Sequence, residues 1–288
     1  MLYKAGLVLE GGGMKGVYTA GIIDYLIDEN IEFETCYGVS AGACHLCSYL
    51  AHMRDRGFSV FADYWKYKEY GSWYSFFTTG NYFGVDMLYN RIPNELYRLD
   101  YDTLDRSRMK FIAVATNLKT GKAEYFTVKD LRTEMVYVRA SSSVPLISRN
   151  VKVNGQYYLD GGCADPIPVK KSMEDGYEKN VVVLTKVKGL RKKKYNYGPL
   201  PRLRYITYPN FVKTFKNIHN TYNAEMDFID KEEEEGRLFV FRPAREMDIA
   251  LMEKDWHKLR AMYEMGYEDA VANGEKLKAY LKGNEIEE

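Results

Sequence analysis

Short apolar runs recur along the first two thirds of the chain, and helix-like stretches separate the earliest of them. The runs span residues 5–9, 33–39, 111–116 and 181–185. Their content of β-branched and aromatic residues is typical of buried strands. Because strands that alternate with helices build a mostly parallel sheet covered on both faces, the pattern predicts an α/β fold.

A different pattern marks residues 151–159, where two short strand-like segments flank Asn154 and Gly155. Asn-Gly between such segments is the strongest short-range signal for a β-hairpin. We therefore expect an antiparallel hairpin here, whose second strand ends at Asp160 in front of two further glycines.

The C-terminal part combines one more strand-like run, residues 237–241, with a helix-like tail. Apolar residues of the tail recur at spacings of three and four, which places them on one face of a helix. They are Trp256, Leu259, Tyr263, Tyr267 and Ala270. We expect a core of residues 1–185, a basic connector of residues 186–207 and a strand-plus-helix extension of residues 208–288.

Composition and charge narrow the class of protein. The chain has 288 residues and is 46% hydrophobic, which is enough for a sizeable core. Lysines and arginines number 41 against 40 acidic residues, so no overall charge attracts nucleic acid, and we expect no nucleic acid partner. No apolar run approaches the ~18 residues of a membrane span, and the N-terminus has no signal-like pattern. We expect a cytoplasmic protein.

Positive charge is concentrated locally, because residues 179–224 contain no acidic residue. The centre of this segment is a loop that carries Arg191, Lys192, Lys193 and Lys194. Such a run is either solvated surface or an anchor for anionic lipid headgroups, which would make the protein peripheral to a membrane.

The five residues from Gly38 to Gly42 spell G-x-S-x-G between a strand-like run and a helix-like run. This context is typical of a nucleophile elbow, in which a sharp strand-to-helix turn presents the serine, here Ser40. A second glycine-rich turn, from Gly11 to Gly16, follows the first strand-like run. Together the two turns indicate a serine acyl hydrolase.

Competing interpretations of the glycines fail at neighbouring residues. A dinucleotide fold needs an acidic residue after its second strand, where this chain has the elbow instead. A phosphate-binding P-loop needs Lys-Ser/Thr, but Val17 follows Gly16. Cys44 and Cys47 have C-x-x-C spacing without a second pair, so we expect them to pack in the core and expect no metal or cofactor.

None of the four histidines has a setting typical of a catalytic triad. His45 and His52 lie on or near the elbow helix, His219 lies in a polar stretch, and His257 lies on the tail. The base is better sought at Asp160, which the predicted hairpin strand delivers to a Gly-Gly turn where substrate can come close.

Four motifs together resemble the patatin-like phospholipases. They are the glycine turn from Gly11 to Gly16, the elbow from Gly38 to Gly42, the run from Ala140 to Pro145 and the turn from Asp160 to Gly162. They occur in the family's order and cover roughly residues 5–185. The tail is similar to a C-terminal extension seen on bacterial members.

The resemblance implies a three-layer α/β/α sandwich with a mostly parallel central sheet and a helical C-terminal extension. It implies that Ser40 attacks a lipid ester, as in a phospholipase A, while Asp160 takes its proton directly. The resemblance further assigns an oxyanion hole to the glycine turn. Its residues are Gly11, Gly12, Gly13, Lys15 and Gly16.

Two other classes of function stay open, an esterase for small soluble esters and a hydrolase-derived scaffold. The segment between Phe58 and Tyr101 contains fifteen aromatic residues. It is either an apolar cover over the active site that receives acyl chains or a set of helices packed on the sheet.

Overall fold

A computed structural model of the protein describes residues 1–286, and within them eight strands form one sheet. The strands are β1 (Leu2–Leu9), β2 (Glu32–Val39), β3 (Lys110–Asn117), β4 (Ala123–Val128), β5 (Val151–Val153), β6 (Gln156–Asp160), β7 (Asn180–Val183) and β8 (Leu238–Phe241). Their order across the sheet is β5-β6-β3-β2-β1-β7-β8, and β4 pairs with β3 beside this path.

Helices cover both faces of the sheet. They are α1 (Val17–Asp28), α2 (Ala41–Leu50), α3 (Arg56–Ala62), α4 (Trp73–Thr79), a π-helix (Met87–Leu96), α5 (Tyr101–Arg106), α6 (Leu131–Ser141), α7 (Val169–Glu174), α8 (Leu200–Arg204), α9 (Pro209–Glu234) and α10 (Trp256–Leu281). Short 3₁₀ turns follow at Gly13–Gly16 and Gly161–Cys163.

The centre of the sheet is parallel, as the alternation of runs predicts. β1 pairs with β2 on one side and with β7 on the other, and β3 and β8 extend the parallel set. Leu7 and Leu9 pack toward α1, α2 and α10, whereas Val8 packs toward α7 and α9. Because both faces are covered, these strands need apolar residues at successive positions. The prediction of an α/β/α sandwich is confirmed.

The other edge of the sheet is antiparallel. β5 and β6 form the predicted hairpin, and its turn residues Asn154 and Gly155 have φ values of 46° and 79°. Two consecutive left-handed residues match the twist of the flanking strands, which explains the Asn-Gly pair. β4 was not predicted from the apolar pattern, because most of its residues are only half-buried on the edge of β3.

The C-terminal region joins the sheet and its helical layer. β8 pairs with β7, and α10 packs along α1. The two helices cross in close contact at glycines, since a Cβ atom at Gly21 would lie 2.2 Å from the Tyr263 carbonyl oxygen. Leu259 and Ala270 of the predicted stripe are fully buried, whereas Trp256 at the start of α10 is 42% exposed.

Candidate active site

Ser40 occupies the turn between β2 and α2 in a strained backbone conformation. Its φ of 54° and ψ of −120° lie in a region that residues with side chains rarely adopt. The two elbow glycines make the turn possible by close approach. A Cβ atom at Gly38 would lie 2.6 Å from Ala43 Cα, and one at Gly42 would lie 2.5 Å from the Leu9 carbonyl oxygen.

Asp160 is fixed at the end of β6 by its backbone and by one carboxylate oxygen. Antiparallel pairing places it opposite Ala115 of β3. Its N–H donates to the Ser143 carbonyl at 2.9 Å, and the Thr116 hydroxyl donates to its carbonyl at 2.8 Å. Its Oδ1 accepts the N–H of Gly162 at 2.8 Å. The carboxylate therefore has one defined orientation.

The structure brings Ser40 and Asp160 together, although they are far apart in sequence. Both residues line the same cavity, and the Ser40 side chain is near enough to the Asp160 carboxylate to affect its pKa. Burial raises the pKa of Asp160 to about 6, while the Ser40 side chain, the Gly162 N–H and the charge of Lys192 oppose that rise. A carboxylate with this pKa is ionised at neutral pH and more basic than a free aspartate, so it can accept a proton from the hydroxyl.

Two cavities meet at Ser40, and Gly13 and Val144 also line both of them. The outer cavity, of about 360 Å³, is bordered by Asp160 and by the glycine turn. Three lysines also line it, namely Lys15, Lys186 and Lys192. The inner cavity, of about 100 Å³, extends from Ser40 between α2, α3 and the π-helix.

The glycine turn after β1 packs against the elbow. A Cβ atom at Gly11 would lie 2.9 Å from Ser40 Cβ, and one at Gly12 would lie 2.6 Å from Thr185 Oγ1. Gly13 has a φ of 56°. Within residues 1–286 we find no protein acceptor for the N–H groups of these three glycines. Free N–H groups beside a nucleophile are the usual stabilisers of a developing oxyanion.

Lys15 and Gly16 have different surroundings. The Lys15 side chain lines the outer cavity. Gly16 faces the elbow helix, where a Cβ atom would lie 2.7 Å from Ala41 Cβ. Close packing against α2 is therefore a sufficient reason for a glycine at this position.

A buried charged group beside the outer cavity was not predicted from the sequence. Glu10 accepts the N–H of Thr185 at 2.6 Å and binds the Lys186 ammonium. Burial would raise the pKa of Glu10, but these contacts lower it below the ordinary value. The Lys192 ammonium lies 4.1 Å from the centroid of the Tyr222 ring. Burial lowers the pKa of Lys192 to about 8, with the Lys186 charge adding to this. Glu10 and Lys186 are far apart in sequence. Their pairing therefore leaves no local motif from which it could be predicted.

The four basic side chains of the predicted loop have different surroundings. Arg191 pairs with two carboxylates of α9, those of Asp227 at 2.6 Å and Asp230 at 2.9 Å. Lys192 lines the outer cavity. Lys193 and Lys194 are exposed. Only part of the run is therefore available to an external partner.

The aromatic segment between Phe58 and Tyr101 fits both interpretations of its sequence, because it is partly packed and partly lines a cavity. Some of its residues are packed, since Tyr70 is 2% and Ile92 is 0% exposed. Those two residues also line the inner cavity, together with Val60, Phe61, Phe83 and Leu88. α4 instead presents exposed rings, with Phe77 at 80%. The inner cavity is therefore an apolar space that begins at the serine.

The histidines lie away from this site. Within the described part of the chain, none of His45, His52, His219 and His257 lines the outer or the inner cavity. His45 is fully enclosed by the core, and burial lowers its pKa to about 3. A histidine that stays neutral inside the core does not serve as a base at the outer cavity.

Within residues 1–286, no group of three or more His, Cys, Asp or Glu side chains is arranged to hold a metal ion. Cys44 and Cys47 both line the inner cavity, and Cys47, which is 5% exposed, also packs in the core. In the same stretch, no helix has both the length and the apolar character needed to cross a bilayer.

Several curated proteins and solved structures are similar to the chain. Uncharacterized protein YjjU of Escherichia coli (strain K12) is 26% identical over 269 residues, which cover 91% of this chain and 75% of that protein. Probable lipid hydrolase 463L of Invertebrate iridescent virus 6 is 22% identical over 194 residues, which cover 62% of this chain and 66% of that protein. The crystal structure of VipD from Legionella pneumophila aligns with 95% of this chain and 67% of that one, at 14% identity and a TM-score of 0.46.

Two family models match separate parts of the chain. A domain of unknown function, DUF6363, matches residues 208–282. The model described as patatin-like phospholipase matches residues 7–171, which is more than half of the chain. This match includes Ser40, Asp160 and the glycine turn, and by it the chain belongs to the patatin-like phospholipase family.

Proposed function

We propose that the protein is a serine lipid acyl hydrolase that cleaves a carboxylic ester with a Ser40–Asp160 dyad. The observation that carries the proposal is the position of a strained serine beside a buried carboxylate, at the meeting point of two cavities. A serine hydroxyl is a weak nucleophile until a base removes its proton, and Asp160 is the base within reach.

In the first step Ser40 Oγ attacks the ester carbonyl carbon while its proton passes to Asp160. The carbonyl oxygen becomes an oxyanion beside the N–H groups of Gly11, Gly12 and Gly13. Because the turn packs closely against Ser40 and Thr185, these groups are already in place as the charge develops. The positive charge of Lys15, on the same cavity wall, supports the oxyanion at longer range.

The intermediate collapses when the ester C–O bond breaks and the proton held by Asp160 passes to the leaving alcohol. An acyl-serine remains. Asp160 then takes a proton from water, whose oxygen attacks the acyl carbon. The free fatty acid leaves as the proton returns to Ser40 Oγ, so one water is consumed and the enzyme is regenerated.

The two cavities favour a lipid ester over a small soluble ester. An apolar space at the serine matches an acyl chain, and burial of each methylene is worth roughly 0.8 kcal/mol. The lysines of the outer cavity match an anionic headgroup such as phosphate. A phospholipase A reaction uses both. A scaffold would gain nothing from the strained Ser40 conformation, which costs on the order of 1–3 kcal/mol.

Labelling with a small serine-directed fluorophosphonate tests the nucleophile. We expect peptide mapping to find the label on Ser40 alone, and Ser40→Ala to lose both the label and turnover. Mixed phospholipid vesicles, with products identified by mass spectrometry, then test the substrate class. Labelling that persists in Ser40→Ala would overturn the assignment, and release of acyl groups only from soluble esters would support the esterase.

We further propose that Lys193 and Lys194 hold the outer cavity against an anionic membrane, each contributing about 1 kcal/mol near such a surface. Changing both to Gln should weaken binding to anionic vesicles about 30-fold. Hydrolysis of a soluble short-chain ester should stay unchanged. The matched control changes the exposed Lys276 and Lys282 of the C-terminal region to Gln. Equal binding of the native protein to neutral and anionic vesicles would refute this contact.

A further inference from the structure

A buried arginine lies on the wall of the inner cavity, at the end remote from Ser40. Arg56 begins α3, and it is 4% exposed. Its Nη1 donates to Ser48 Oγ at 3.1 Å, and its Nε donates to the Tyr97 carbonyl at 3.2 Å. Ser48 is eight residues beyond Ser40 along α2, so the guanidinium lies about 12 Å along the helix from the nucleophile.

Within the described part of the chain, the charge of Arg56 is not balanced by a carboxylate. None of the ion pairs formed by residues 1–286 includes it. Burial lowers the pKa of its guanidinium below the ordinary value. The Tyr97 ring lies 5.6 Å from the guanidinium carbon, and the cavity wall includes apolar side chains such as Val60 and Leu99. A charge buried in such surroundings is costly unless a partner of opposite charge compensates it.

The guanidinium also has unused donors. An arginine carries five N–H groups, and two of them make the bonds to Ser48 and Tyr97. Those two bonds hold the group in place, so the remaining donors have a defined position beside the cavity. A fixed donor group is well suited to bind a planar oxygen acid, because little side-chain freedom is lost on binding.

We propose that Arg56 binds a carboxylate at the far end of the acyl chain, so that the protein prefers esters of ω-carboxylated fatty acids. The inference rests on the proposed function, because it treats the inner cavity as the acyl site. The ester carbonyl lies at Ser40, the methylenes lie along the Cys44 and Cys47 face of α2, and the terminal carboxylate neutralises the guanidinium.

The position of Arg56 makes the preference depend on chain length. A chain too short to span the distance along α2 leaves its carboxylate in the apolar part of the cavity, where desolvation is unfavourable. A chain of the matching length forms the charge-assisted hydrogen bond. An arginine that served only to tie α3 to α2 would affect all acyl chains alike. The measurable signature is therefore a ratio between matched chains.

A binding experiment on Ser40→Ala protein tests the inference without turnover. Calorimetry would compare free octanedioate with free octanoate, which differ only at the far end. We expect octanedioate to bind about tenfold more tightly, and Arg56→Met to remove this difference while Arg56→Lys keeps part of it. Lys192→Gln is the control for binding of either carboxylate in the outer cavity, and it should leave the ratio unchanged. Equal or weaker binding of octanedioate, or a ratio that survives Arg56→Met, would overturn the proposal.

A turnover experiment separates this inference from the proposed function. The native protein would be given p-nitrophenyl monoesters of hexanedioate, octanedioate and decanedioate beside the esters of hexanoate, octanoate and decanoate. We expect the ratio of kcat/KM values to peak at one length. If all esters are hydrolysed and the ratio of kcat/KM values shows no peak, the role of Arg56 is refuted but the proposed function is not. A binding preference in a protein that hydrolyses none of them would refute the proposed function and keep the carboxylate site. Because the native protein decides both outcomes, a variant that fails to fold leaves the test intact.

Discussion

The outer and inner cavities meet at Ser40, but four charged side chains line the first, whereas Arg56 is the one charged side chain among the described residues that line the second. The outer cavity takes its lysines from the glycine turn and from the segment after β7, whereas the inner cavity lies between α2, α3 and the π-helix. An ester that bridges a polar head and an apolar tail places its carbonyl at this boundary. The difference teaches that the proposed nucleophile borders two cavities of unlike chemistry, which can be altered separately.

The most damaging change should be the one that removes the base at the point where both cavities meet. Asp160→Asn keeps the shape and the bond to the Gly162 N–H but cannot take a proton. We expect kcat to fall about 10³-fold or more on every ester, whether its chain is long or short. The measurement is steady-state turnover, with thermal melting to verify folding.

The control for that change is a set of four single histidine variants, of His45, His52, His219 and His257 to Gln. Activity within a few-fold of native is expected for each. A folded His219→Gln or His257→Gln protein that is as inactive as Asp160→Asn would replace the dyad by a Ser-Asp-His triad.

A second change acts on the outer cavity alone. In Gly12→Val the new Cβ would collide with Thr185 Oγ1, 2.6 Å away, so the turn and its N–H groups must move. Loss of one oxyanion donor costs roughly 10²–10³ in kcat, and we expect that loss with little change in KM. Short and long acyl esters should suffer equally. A loss confined to long chains would show that the turn contributes to acyl binding instead.

A third change acts on the inner cavity alone. Cys44→Phe adds a ring on the face of α2 that lines this cavity and should displace about two methylenes of a bound chain, or about 1.6 kcal/mol. We expect kcat/KM to fall about 15-fold for an octanoate ester and to stay near native for an acetate ester. Equal losses for both esters would mean that the acyl chain lies elsewhere.

The smallest expected effect is the dependence of kcat/KM on pH near neutrality. Because burial raises the pKa of Asp160 to about 6, the carboxylate is largely ionised at pH 8 and half-protonated at pH 6. Only the ionised form accepts the Ser40 proton, so kcat/KM should halve between those values and fall about tenfold per unit below them. An ester without charge should show the same profile. A profile flat down to pH 4 would argue against Asp160 as the base.

The sequence predicted the parts of the site that depend on neighbouring residues. The elbow from Gly38 to Gly42 and the glycine turn from Gly11 to Gly16 are visible because a tight turn needs small residues within a few positions. The hairpin at Asn154 and the run of parallel strands follow from local conformation and from burial on both faces. The roles assigned to Ser40 and Asp160 stay predictions until the variants are measured.

Only the tertiary structure decided which distant side chains share a wall. In the folded chain Glu10 binds Lys186, and Arg56 lines the inner cavity. Lys192 lines the outer cavity, whereas its neighbour Arg191 pairs with α9. The tertiary structure also places the half-buried β4 on the sheet edge. The physical reason is that charge pairing and cavity shape depend on distances through space between segments separated by many residues, whereas turns, strands and helices depend on residues close together in the chain.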